Sequence, residues 1–134
     1  MKYVYVLITG FTVIFTACRE NPATHHEHQA EADELQISLN DGLRWEMDDH
    51  TRTMFKAMAG RIEAGGDVGA VGNGLKSDLD KLIQGCTMTG EAHDQLHVYL
   101  SHLIPAIQEV SENGSDESLK NVEELLKEYS KYFE

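Results

Sequence analysis

The fold class predicted for this 134-residue sequence is all-α, an up-down four-helix bundle, and three observations predict it. Apolar residues recur at helical spacing in four stretches between Met47 and Phe133. Glycine-rich or turn-forming breaks separate those stretches. No alternating apolar and polar run is long enough to build a sheet. Four amphipathic helices with short connections bury their stripes most economically against one another. The length allows one small domain.

Residues 1–17 read as a signal peptide. Lys2 supplies an early positive charge, Val4 to Phe15 an apolar core, and Ala17 a small residue ahead of the cut. The apolar run is too short to span a membrane as a mature helix. Phe15-Thr16-Ala17-Cys18 resembles the lipobox of bacterial lipoproteins, with Phe15 where leucine is usual. The resemblance implies cleavage before Cys18 and a diacylglyceryl thioether on its sulfur. The protein would then be exported and anchored to a lipid bilayer, facing the periplasm or the cell surface. The alternative is an ordinary signal peptide cut nearby, leaving Cys18 as a free thiol. Residues 18–38 are polar and read as a flexible tether. Within it His25-His26-Glu27-His28 places three imidazoles in four residues. They could bind a divalent metal at the cost of ordering the segment, or be part of a solvated linker.

The domain is expected over residues 39–134. Ile37 to Trp45, built around Asn40-Asp41-Gly42, reads as an extended lead-in or a turn, with Trp45, the single tryptophan, lidding the core. Asp48 or Asp49 caps a first helix to about Ala64, with Met47, Met54, Phe55, Met58 and Ile62 on its stripe. Gly65 to Gly74 contains five glycines and reads as a mobile connection. It nearly matches a phosphate-binding loop, but Leu75 intrudes before Lys76 and no strand precedes it, which excludes that reading. The second helix runs from about Leu75 to Gln84, with Gly85 as its stop. Thr89 caps a third, from Gly90 to about Ser111, whose stripe is His93, Leu96, Leu100, Leu103, Ile107 and Val110 with His97 and Ile104 alongside. Both histidines are thus expected to face inward. Pro105 should kink this helix or weaken a hydrogen bond near Ser101. After Asn113-Gly114, Ser115 opens a fourth helix with Leu119, Val122, Leu126, Tyr129 and Phe133 inside.

With 11 basic against 23 acidic residues the formal net charge is −12. Such a chain is repelled by nucleic acid and by anionic lipid headgroups, so neither is a partner through electrostatics. It concentrates cations without selecting one.

The unusual chemistry lies in residues 84–97. Cys86, Met88, His93 and His97 put a thiol, a thioether and two imidazoles within twelve residues at a helix–helix junction. If Cys18 carries lipid, Cys86 has no partner within the chain, and an exported lone thiol has to be buried, paired between chains or ligated. Histidines four apart present two imidazoles to one ion. The residues between them include no glutamate, so the metalloprotease motif is absent. One Cys, two His and one Met is the set associated with copper, and thiolate with thioether selects Cu(I). Zinc would accept the thiolate and imidazoles but gains little from Met88. Met47, His50 and Met54, one turn apart near the start of the first helix, are further candidate ligands, as are His25, His26 and His28. Asp94 is placed to orient an imidazole from outside the ligand set. The competing reading makes His93 and His97 satisfied bundle histidines and Cys86 and Met88 apolar fillers.

Leu39-Asn40-Asp41-Gly42 with Trp45, followed by Cys86-Thr87-Met88 and Ala92-His93-Asp94 with Leu96-His97, resembles a group of small uncharacterised exported bacterial helical proteins. The resemblance covers residues 37–112 and implies a helical domain with a shared site, without an activity to transfer. The ligand set is also similar to that of cupredoxins, though order and spacing differ and no β-sandwich is expected. Two function classes follow. One is a membrane-anchored copper protein of the envelope, for sequestration, delivery or electron transfer. The other is a metal-free helical interaction module with an envelope protein partner. No nucleophile–base pair, paired inward carboxylates or cofactor motif points to an enzyme.

Overall fold

The computed structural model describes residues 35–134; the expected signal peptide, Cys18 and His25, His26 and His28 lie outside them. Four helices follow one another: α1 (Asp49–Ala64), α2 (Val68–Gly85), α3 (Glu91–Asn113) and α4 (Asp116–Tyr132). Each packs on its chain neighbour, and α4 closes the ring against α1. The fold is an all-α four-helix bundle. No described helix is long and apolar enough to cross a membrane.

α1 begins where expected. The Asp48 carboxylate accepts a hydrogen bond from Thr51 N at 2.7 Å. Phe55 and Met58 are buried, while Met54 and Ile62 are half-buried against the same core. α4 starts at a reciprocal box in which Ser115 and Ser118 each accept from the other's backbone N–H.

α2 departs from expectation. Residues expected to form a mobile glycine connection are helical from Val68, because Asp67 caps the helix by accepting from Ala70 N at 2.9 Å. Gly69, Gly72 and Gly74 then lie inside α2, and tertiary contact explains two of them. A Cβ on Gly72 would stand 2.8 Å from the Val110 backbone of α3, and one on Gly74 would meet the Arg61 side chain of α1. Glycine here permits close helix approach instead of mobility. α2 does stop at Gly85, its last residue, with the His50 ring lying where a Cβ would be.

α3 has Gly90, not Thr89, at its N-cap, with φ 81° and no side-chain cap. It runs through Pro105, which sits on the exposed face, where water can take the carbonyl that proline leaves unpaired. Gly114 ends it in the left-handed region at φ 46°.

The packed unit begins earlier than residue 39. Ile37 belongs to the core, and Ser38 N donates to Gln95 Oε1 of α3 at 2.9 Å. Asn40 and Leu43 exchange two backbone hydrogen bonds around Asp41-Gly42, both at positive φ, forming a tight two-residue hairpin turn. Trp45 is buried as a lid, with its indole N–H donating to Ser38 O. Residues 45–47 then run beside the chain end: Trp45 N donates to Tyr132 O, Glu134 N to Trp45 O, and Met47 N to Glu134 O.

Candidate metal site

The junction between α2 and α3 takes its shape from α1. The chain leaves α2 at Cys86 in an extended conformation, φ −66° and ψ 121°. Two residues from the first turn of α1 hold the junction. The His50 imidazole lies against Gly85, its Nε2 donating to the Lys81 carbonyl at 3.1 Å. Thr51, fully buried, donates its hydroxyl to Met88 Sδ at 3.7 Å. Thr51 was not among the residues expected to matter. No local pattern marks it, because its partner Met88 comes from 37 residues further along the chain.

His93 and His97 come together on α3. Their Nε2 atoms are 3.0 Å apart, with the rings edge to face at 4.4 Å between centroids. One neutral ring donating to the other accounts for that distance. It also matches two nitrogens on one ion, which stand about 2.9–3.3 Å apart when each metal–nitrogen bond is about 2.0–2.1 Å.

His97 is exposed and His93 only half-buried, which corrects the expected inward orientation. The buried positions of α3 are Leu96, Tyr99, Leu100, Leu103, Ala106, Ile107 and Val110. At about 100° per residue, His97 lies well off the centre of that face. Tyr99 occupies the inner face, donating its hydroxyl to Leu125 O of α4 at 2.7 Å. The imidazoles therefore need no buried partner; they have each other and solvent.

The remaining candidates divide. Cys86 is a free, half-buried thiol. Met88 is packed on the core and engaged with Thr51, and Met54 is also packed there. Met47 is fully buried, so it serves packing. Asp94 is exposed, and its neighbour Glu91 adds a second carboxylate in the first turn of α3. Among the described residues no three His, Cys, Asp or Glu side chains converge into a metal-holding group. The geometry thus supplies a two-nitrogen surface site, with sulfur donors on the loop that leads into its helix.

No protein-family model, curated protein or solved structure matches this chain.

Proposed function

We propose that the chain is a copper-handling protein of the cell envelope, a binder and not an enzyme, that takes its cargo ion at His93 and His97. The observation that carries this reading is the 3.0 Å separation of the two Nε2 atoms on an exposed flank of α3. Cys86 and Met88 complete the set from the adjoining loop. Met88 would have to exchange its 3.7 Å contact with the Thr51 hydroxyl for the metal, and sulfur is a weak enough acceptor for that exchange to cost little. A half-open site of this kind suits acquisition and release. Electron transfer instead asks for ligands held rigidly in one geometry, and the split between the imidazole pair and Met88 disfavours it. Zinc at the imidazoles is the competing cargo. A lipid anchor at Cys18 would keep the domain at the membrane, with the three tether histidines as a loading arm.

The ring-to-ring distance suits one other reading equally, a metal-free interaction module in which the imidazole pair is a surface hydrogen bond. Titration decides between them. The chain, with His25, His26 and His28 replaced, is titrated with Cu(I), Cu(II) and Zn(II) under controlled redox conditions. One tight copper per chain, lost in His97→Ala and weakened in Cys86→Ala, supports copper handling. An intense thiolate-to-Cu(II) absorption band would move the reading to electron transfer. No stoichiometric binding of any of the three ions would leave the interaction module.

A further inference from the structure

One line of residues along α3 differs from the charged surface around it. At about 100° per residue, His93, His97, Ser101, Ile104 and Gln108 all fall within about 40° of His97 as viewed down the helix axis. The line runs for about 22 Å at about 1.5 Å per residue. His97, Ser101, Ile104 and Gln108 are exposed, and His93 is half-buried. None of the five is an acidic residue, a lysine or an arginine, in a chain of net charge −12. Ile104, two turns after His97, is a large apolar side chain left 37% exposed. The acidic residues of α3, Glu91, Asp94, Glu109 and Glu112, lie beside this line and not on it. Glu112 is held there, accepting from Gln108 Nε2 at 2.8 Å.

The imidazole pair at the head of the line faces outward. Its two Nε2 atoms are 3.0 Å apart. Zn(II) takes four ligands in a tetrahedron, so an ion seated on this pair directs its two remaining positions away from α3. Cys86 and Met88 are soft donors that suit Cu(I), whereas Zn(II) and Cu(II) accept imidazole readily. Met88 is moreover turned to the Thr51 hydroxyl. The same imidazole pair on another copy of the chain has the spacing to fill both open positions. A two-fold axis through the ion then has each copy supply the same two residues. Two metal-free copies repel through their net negative charge, and the exposed Asp94 beside His93 adds to that repulsion at the contact. A divalent cation between the copies offsets it, and the uncharged line lets the two helices approach beyond the ion.

We propose, on the reading of His93 and His97 as metal donors, that a divalent ion joins two copies of the chain face to face along α3. Four imidazole nitrogens hold the ion, two from each copy, and Ile104 lies in the apolar part of the contact. Cu(I) taken with sulfur stays on one chain, so the bridged dimer is the form loaded with Zn(II) or Cu(II).

The test is sedimentation velocity of the chain with His25, His26 and His28 replaced. Zn(II) is the probe, and a phosphine reductant keeps the thiols reduced. Monomer is expected without metal, dimer at one Zn(II) per two chains, and monomer again after EDTA. His93→Ala and His97→Ala should each abolish the Zn(II)-dependent dimer. Ile104→Glu should weaken it at least about tenfold, by setting two like charges into the contact. Circular dichroism melts of each variant establish that it remains folded. One Zn(II) bound per monomer through the two histidines would overturn the bridged dimer and leave the metal reading standing. No Zn(II) binding would overturn it too, and no binding of either copper ion besides would remove the metal reading as well. A dimer that forms without metal, survives His97→Ala or is unchanged in Ile104→Glu would equally overturn the proposal.

Discussion

The Nε2 atoms of His93 and His97 stand 3.0 Å apart, a separation that suits one hydrogen bond from ring to ring or bonds from both nitrogens to a single metal ion. His97 contributes to that pair from an exposed position, so its loss removes little packing. His97→Ala is expected to lower metal affinity by an order of magnitude or more, as loss of one of two anchoring donors does, while moving the thermal midpoint little. Ion titration beside a calorimetric melt of the same variant checks both parts. Asp48 is the residue with a clear acid dependence. Burial raises its pKa, but hydrogen bonds from Thr51 and the charges of His50 and Arg52 outweigh this, and the net result lies below the ordinary carboxylate value. A carboxylate depressed on folding adds stability that is complete above its unfolded pKa and lost as pH falls through the folded one. Asp48→Ala should cost about 1 kcal/mol at neutral pH, from the lost helix cap, and less below about pH 4. Urea midpoints measured across that range test the sign.

At the scale of single elements, glycines that look alike in the sequence differ in role. Gly60 lies inside α1 on its exposed side, and a Cβ there would meet nothing within 4 Å. Gly60→Ala should stabilise the protein by about 0.5–1 kcal/mol through the reduced entropy of the unfolded chain. Gly72 is pressed against the Val110 backbone, which cannot swing aside as a side chain can. Gly72→Ala should therefore destabilise by about 1–3 kcal/mol, by forcing α2 and α3 apart. Opposite shifts in denaturant midpoint are the expected result, and two shifts of the same sign would contradict the account of α2. The buried Asp78 beside Gly74 fixes a second helix pair: its carboxylate receives two hydrogen bonds from the Arg61 guanidinium of α1, at 2.9 and 2.7 Å, and one from Lys81. That arrangement accounts for glycine at position 74, since a larger residue would displace the Arg61 side chain.

On the scale of the whole molecule, the bundle is closed by the end of the chain. Phe133 is buried against Tyr99 and Tyr129, and residues 132–134 share backbone hydrogen bonds with residues 45–47. This contact spans nearly the whole domain in sequence, so closing it costs more loop entropy than the helix–helix contacts between chain neighbours. Phe133→Ala should cost about 3–5 kcal/mol, the range for a large aromatic removed from a packed core. Loss of Trp45 burial should accompany it, visible as a change in tryptophan fluorescence before global unfolding. If fluorescence and helicity melt together in both proteins, residues 45–47 are held independently of Phe133.

What the sequence determined by itself is the part written in local chemistry. Apolar spacing marked the four helices, Asp48 and Ser115 marked two of their starts, and the Asn40-Asp41-Gly42 turn and the Trp45 lid were readable because each depends on neighbouring residues. The proximity of His93 and His97 was also readable, since four positions along a helix is a fixed distance. Their orientation was not. Where the buried face of α3 is centred depends on which neighbours pack against it, and Tyr99, held by the Leu125 carbonyl of α4, takes the inward position. The same reason applies to the glycine-rich start of α2 and to Thr51 beneath Met88. Each is defined by an atom supplied from a distant part of the chain, and only the assembled tertiary structure brings those atoms together.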